Sequence, residues 1–120
     1  MAFSFSPVKR SAIIIGAKEP FINWIFNIRQ AHYGPAQVSR QDIEKRTAEK
    51  RNVYLIPPSG GRAPDELVRE ASLEIFENEL RDWCLKSELW PEDRSWDVFR
   101  EWFYYEFLPV VLDAAQDASL

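Results

Sequence analysis

Three carboxylates in the C-terminal half of the chain have side chains that could support acid–base chemistry or bind a divalent metal ion: Glu79, Glu106 and Asp113. The apolar pattern of residues 65–85 predicts a helix. Glu79 lies near the middle of its apolar face, four residues from both Ile75 and Trp83. An unpaired buried carboxylate is costly and takes up a proton instead. We therefore expect Glu79 to have a cationic or hydrogen-bonding partner.

Glu106 and Asp113 are predicted to lie on one shoulder of a second long helix, over residues 95–115, seven residues apart. Arg94 and Arg100 are the cations available to pair with these acids. One interpretation is a structural ion network that joins the two helices. A second is a carboxylate cluster in an aromatic pocket, for which the candidate side chains are Trp83, Trp90 and Trp102. A third is that these acids simply reach solvent. The sequence identifies no catalytic residue.

The two long helices are predicted to form a C-terminal helical hairpin, because the connection over residues 89–94 is short. Ser95 has the side chain of a helix N-cap. Pro109 lies inside the second predicted helix, where a proline removes a backbone donor and crowds the preceding turn. We expect a kink there.

Two short strands, at about residues 12–16 and 53–56, are predicted to pack under the helices. They could pair in parallel through a right-handed crossover or as an antiparallel ribbon. Two strands alone make a marginal sheet, so we expect the hairpin to cover them and dimerisation to extend the sheet. Residues 1–10 are expected to be a flexible arm, and residues 11–120 a single α+β domain.

Local signals predict two further helices between these strands. Pro20 suits the first turn of a helix that ends near Arg29. Ser39 is a good N-cap with Asp42 at the third helical position, so a polar surface helix should follow.

Composition indicates an ordinary globular chain of 120 residues with 46% apolar residues. The net charge of −4 hides an asymmetry: residues 1–64 carry 10 Lys/Arg and 4 Asp/Glu (+6), and residues 65–120 carry 5 and 15 (−10). This split favours internal attraction or head-to-tail self-association. One cysteine and no long apolar run predict a cytoplasmic protein that does not bind membranes.

The side chains offer little for a cofactor or a nucleic acid. One cysteine and one histidine make a zinc site implausible, and no Glu-x-x-His pair is present. Residues 40–51 hold five cations, but three acids dilute them and no stacking aromatics accompany them. We expect no metal, no cofactor and no nucleic-acid partner.

Several strings resemble a group of small uncharacterised bacterial proteins, over roughly residues 53–112. They are Val53-Tyr-Leu-Ile-Pro57, Phe76-Glu-Asn-Glu-Leu-Arg-Asp-Trp-Cys84, Leu89-Trp-Pro-Glu-Asp-Arg94 and Phe99-Arg-Glu-Trp-Phe103. The resemblance implies a bacterial, cytoplasmic α+β domain and supplies no catalytic residue.

These observations favour a non-enzymatic interaction or accessory module that forms a homo-oligomer, with a dimer as the simplest form. A protein partner is compatible with the same features. The alternative is a small hydrolase or metal-binding enzyme that uses the three acids.

Overall fold

The protein has an α+β fold, and its computed structural model describes residues 2–116. The helices of this part are α1 (Glu19–Tyr33), α2 (Arg40–Glu49), α3 (Pro64–Arg81) and α4 (Trp96–Trp102). Its strands are β1 (Phe3–Val8), β2 (Ser11–Ala17), β3 (Val53–Ile56), β4 (Phe103–Leu108) and β5 (Val111–Gln116). Single 3₁₀ turns lie at Pro35–Gln37 and Ser87–Leu89.

Three strands form an antiparallel sheet in the order β3-β2-β4. The continuous apolar run Ala12–Ile15 makes β2 the central strand, as its burial requires. Ile13 lies opposite Tyr54 on one side and Phe107 on the other. The strands at 12–16 and 53–56 are therefore confirmed, and their pairing is antiparallel.

A two-stranded antiparallel ribbon continues the sheet at one end. β1 precedes β2 by two residues, Lys9 and Arg10, and pairs with β5. Three residues, 9–11, lie opposite two, 109–110, so the longer side must bulge. The Ser11 hydroxyl donates to the Pro109 carbonyl across this junction, at 3.2 Å. Residues 3–8, expected to be a flexible arm, thus form a paired strand.

The predicted helical hairpin is wrong in its second arm. The first arm exists as α3, but α4 ends at Trp102 and the chain continues as β4 and β5. Phe103 and Phe107 are four residues apart, which fits one helical turn and also two steps of a strand. The run Phe-Tyr-Tyr-Glu-Phe-Leu is rich in strand-favouring aromatics, and here the strand preference prevails. Pro109 lies at the bend between β4 and β5, not at a helix kink.

The core lies between the inner face of the sheet and the helices, and it is rich in rings. Phe103 packs against Phe21, with ring centroids 4.8 Å apart, and edge-on against Phe76 at 5.1 Å. Phe99 also packs against Phe103, with ring centroids 5.2 Å apart. All four side chains are almost wholly buried. Each contributes about 1.5–3 kcal/mol through burial, so this cluster fixes α1, α3 and α4 on the sheet.

The shape of the molecule reflects the protruding ribbon. The radius of gyration is 17.6 Å and the extents are 56 × 36 × 21 Å, whereas a compact domain of this length has a radius of gyration of about 14 Å. Among the described residues, no helix combines the length and apolar character that a membrane crossing requires.

Candidate functional site

The outer face of the three-stranded sheet is mostly apolar, although the exposed Glu106 lies on it opposite Ile14. Across the three strands, Leu55 of β3 is next to Ala12 of β2, which is next to Leu108 of β4. Val53 of β3 is next to Ile14 of β2 in the same way. Leu55 and Val53 are each 56% exposed. This face, called here the outer sheet face, is bordered by α2 along the part that holds Ile14, Gly16 and Tyr104.

The ribbon formed by β1 and β5 also has exposed apolar side chains, and it extends away from the three-stranded sheet. Phe3 and Phe5 alternate with serines, so both rings lie on one ribbon face with Leu112. Phe3 is 62% exposed, Phe5 64% and Leu112 56%. Of twelve large apolar side chains exposed in residues 2–116, eight lie on these strands or on the bend that joins β4 to β5. Exposed apolar side chains concentrated in this way indicate an interaction surface.

A groove separates the edge strand β3 from α3. Its floor and walls are mostly apolar and include Ile56, Leu67, Ala71 and Ile75, and its volume is about 660 Å³. The polar rim consists of Arg62, Glu70, Glu74 and Asn78. Extended ligands fit such strand–helix grooves because the strand offers backbone hydrogen bonds while the helix offers side-chain contacts.

The outer edge of β3 has backbone groups that no strand of residues 2–116 uses. The Ile15 N–H donates to the Asn52 carbonyl at 3.1 Å, which makes these two residues a hydrogen-bonded pair. Hydrogen-bonded and non-hydrogen-bonded pairs alternate along an antiparallel ladder. The N–H and C=O groups of Val53 and Leu55 therefore point away from β2, towards the groove side.

Glu79 is buried next to Asn78, which lines the groove, and it joins α3 to β3. Its carboxylate accepts hydrogen bonds from the Tyr54 hydroxyl and the Asn52 amide, both at 2.5 Å. The Asn52 amide also donates to Asp82 at 2.7 Å, and the Asn78 amide donates to the Tyr54 hydroxyl at 2.8 Å. The expected partner of Glu79 thus proves to be a set of neutral hydrogen-bond donors.

Burial raises the pKa of Glu79 above its ordinary range, although the hydrogen bonds from Tyr54 and Asn52 oppose the shift and Asp82 adds to it. Burial also raises the pKa of Tyr54, and the hydrogen bond to Glu79 raises it further. The tyrosine consequently keeps its proton and remains a donor over the whole physiological range. This arrangement holds two elements together, and a cavity of only about 20 Å³ lies beside it.

The structure does not bring the three predicted acids together. Glu79 is on α3 under the sheet, whereas Glu106 is on β4, opposite Ile14, and is exposed. Asp113 is on β5 in the ribbon, opposite Ser6, and is also exposed. The shared shoulder of Glu106 and Asp113 required a helix over residues 95–115, which the chain does not form there.

Both predicted cationic partners bind other groups. Arg94 lies 3.7 Å from the Glu77 carboxylate and donates to the Pro91 carbonyl at 2.7 Å. Arg100 pairs with Asp97 at 2.6 Å and stacks on Trp96. The Arg94–Glu77 pair joins α3 to the segment before α4, whereas the Arg100–Asp97 pair lies within α4. Neither pair involves Glu79, Glu106 or Asp113, so the predicted ion network is replaced by pairs with other acids.

The three predicted pocket tryptophans lie in different surroundings. Trp102 belongs to the ring cluster, 5.4 Å from Phe76 between ring centroids. Trp90 donates from its indole to the Cys84 carbonyl at 2.9 Å and stacks on a guanidinium. Trp83 stacks against Arg29. Trp102 and Trp90 serve packing, at the end of α4 and in the connection before it, whereas Trp83 follows α3 and lines a cavity of about 700 Å³.

Within residues 2–116, no group of three or more His, Cys, Asp or Glu side chains is placed to hold a metal ion. The groove and the exposed apolar strands are therefore the surfaces that best suit the binding of a ligand or partner. Sequence reasoning missed the ribbon, although the alternation Phe3-Ser-Phe5-Ser is a strand signal.

No protein-family model matches the chain, and no match was found among the curated proteins or the solved structures.

Proposed function

We propose that the protein is a non-enzymatic interaction module that associates with itself through the ribbon and the adjoining outer sheet face. The observation that carries this proposal is the concentration of exposed apolar side chains on these strands. Leu108, Val110 and Leu112 follow one another at two-residue steps, so the apolar series runs from the sheet into the ribbon. The lone cysteine fits a cytoplasmic location.

Physical chemistry favours a second copy as the partner. A two-stranded ribbon is marginally stable in water by itself, so contact with another molecule would stabilise this one. Burying apolar surface contributes about 25 cal/mol per Å². The chain also has oppositely charged halves, which attract each other between copies as well as within one.

Light scattering over a range of protein concentrations tests the proposal. We expect association of the wild type at micromolar concentration and weaker association of Leu112→Ser, which removes an exposed apolar side chain from the ribbon. Leu85→Ser is the matched control, because Leu85 is 83% exposed and lies outside the strands. A wild type that stays monomeric at high micromolar concentration, in low and high salt, contradicts the proposal.

A further inference from the structure

We infer that the groove between β3 and α3 receives strand β1 of a second copy, which adds to the free edge of β3. This inference rests on the proposed self-association and specifies how the ribbon docks, with the outer sheet face taking part only through the edge of β3. The resulting sheet runs β4-β2-β3 in one copy and continues into β1-β5 of the other.

The backbone of β3 is prepared for an added strand. Val53 and Leu55 direct their N–H and C=O groups outward, as the Ile15–Asn52 hydrogen bond establishes. Proline is absent from Val53–Ile56 and follows immediately at Pro57 and Pro58. A proline cannot donate to a ladder, so pairing at this edge is limited to a short segment.

The groove has the length of such a segment. Its lining on α3 extends from Leu67 to Asn78, which is about 16 Å along the helix axis. An extended chain covers that distance in about five residues. β1 has six residues, of which Pro7 has no N–H to donate, so Phe3–Ser6 are the four residues that can pair fully with the four of β3.

β1 has the side chains and the free edge that this groove requires. It pairs with β5 along one edge only, and its other edge pairs with no strand of the described residues. Phe3 and Phe5 share one face of β1 and are more than 60% exposed. With that face turned to α3, both rings enter the apolar part of the groove beside Leu67, Ala71 and Ile75.

Charge complementarity favours a strand with cations next to it at this position. Glu70 and Glu74 stand on the groove rim, where Glu70 already pairs with Arg62 and Glu74 has no ion pair within residues 2–116. β1 is followed directly by Lys9 and Arg10. No ion pair within residues 2–116 uses either of these two cations. Opposite charges across an interface guide docking and fix the register.

A second copy fits better than the same chain. β1 of the same molecule is held by β5 on the extension of β2, beyond Ser11, where β3 has already ended. Its free edge is therefore left for another molecule. In a symmetric dimer each copy would give one strand and receive one, which closes the assembly at two copies.

Disulfide trapping in the full-length chain tests the inference. In a Cys84→Ser background, one tagged copy carries Ser4→Cys or Ser6→Cys on β1, and an untagged copy carries Leu55→Cys on β3. With Phe3 and Phe5 in the groove, the serine positions and Leu55 share the opposite sheet face. All three side chains are exposed, so the fold should tolerate these changes.

We expect a mixed disulfide between the β1 and β3 positions to form at least roughly tenfold faster than with the control Leu73→Cys, since docking raises the effective thiol concentration. Leu73 is an exposed residue of α3 outside the groove. Association by light scattering without faster β1–β3 trapping overturns this inference and leaves the proposed self-association standing. A strictly monomeric wild type overturns both.

Discussion

The Tyr54 hydroxyl donates a hydrogen bond to the buried Glu79 carboxylate and thereby joins the edge strand β3 to helix α3. Only 8% of Glu79 is exposed, and it has no ion pair within the described residues. The carboxylate is instead stabilised by neutral donors from β3 and from Asn52, just before it. One wall of the groove is therefore positioned by a buried polar contact.

Tyr54→Phe should destabilise the protein, because it removes a hydrogen bond from a buried carboxylate while keeping the ring. Hydrogen bonds to charged groups contribute about 1.5–3 kcal/mol, and that is the expected loss in the free energy of unfolding. Urea denaturation followed by tryptophan fluorescence measures it. Tyr33→Phe is the control, since Tyr33 is 54% exposed and should change stability little. Equal effects of the two variants would contradict the importance of the contact.

The stability of the protein should depend on pH through Glu79. Burial raises the pKa of Glu79 above its ordinary value of 4.5. The folded state then holds this proton more tightly than the unfolded state, so its stabilising contribution is full below pH 4.5 and is lost as pH rises through the folded-state pKa.

Glu79→Gln should remove this part of the pH dependence, because the amide is neutral at every pH and still accepts from Tyr54. We expect the stability of the variant relative to wild type to increase as pH rises from 4.5 towards neutrality. Urea midpoints measured at several pH values provide the comparison. A constant difference between the two proteins would show that Glu79 titrates normally.

Much of the fold follows from local signals in the sequence. Ser39 was identified as an N-cap, and its hydroxyl does accept the Asp42 N–H, at 3.3 Å. The run Ala12–Ile15 predicts a strand through its continuous apolar side chains, and β2 forms there. The cover expected on both faces is incomplete, because Ile14 is only half-buried on the outer sheet face. Glu79 was placed on the buried face of α3 by its spacing from Ile75 and Trp83.

The remaining features depend on contacts between distant residues. Tyr54 and Asn52 reach Glu79 from 25 and 27 positions away, so no local pattern names them as its partners. The four-residue spacing of Phe103 and Phe107 suits a helix and a strand alike. Strand pairing with β2 decides between them. The prediction that Glu106 and Asp113 lie side by side was wrong, because it assumed a helix over residues 95–115.

An alanine scan of β4 should show the two-residue period of a strand. Phe103→Ala removes a buried ring and should cost about 3–5 kcal/mol. Tyr104→Ala removes an exposed ring that Lys18 covers at 4.9 Å, and should cost about 1 kcal/mol or less. Tyr105→Ala should again be costly, and Glu106→Ala should not. Urea unfolding measures each free energy, and losses at 103 and 107 without one at 105 would instead indicate a helical period.

Reversing the charges beside β1 or on the groove rim should weaken the inferred association, and mixing the two reversed variants should restore it. Lys9→Glu with Arg10→Glu places acids beside Glu70 and Glu74 of a second copy, so this variant should associate more weakly than wild type. Glu70→Lys with Glu74→Lys should weaken association for the converse reason. In a mixed dimer of the two variants, the acidic end of one β1 meets a basic rim and the basic end of the other meets an acidic rim, so both contacts again pair opposite charges. We expect light scattering to show more association in that mixture than in either variant alone. The difference should shrink in high salt, which screens exposed charges. If the mixture associates no better than its components, the basic end of β1 does not meet the acidic rim of the groove.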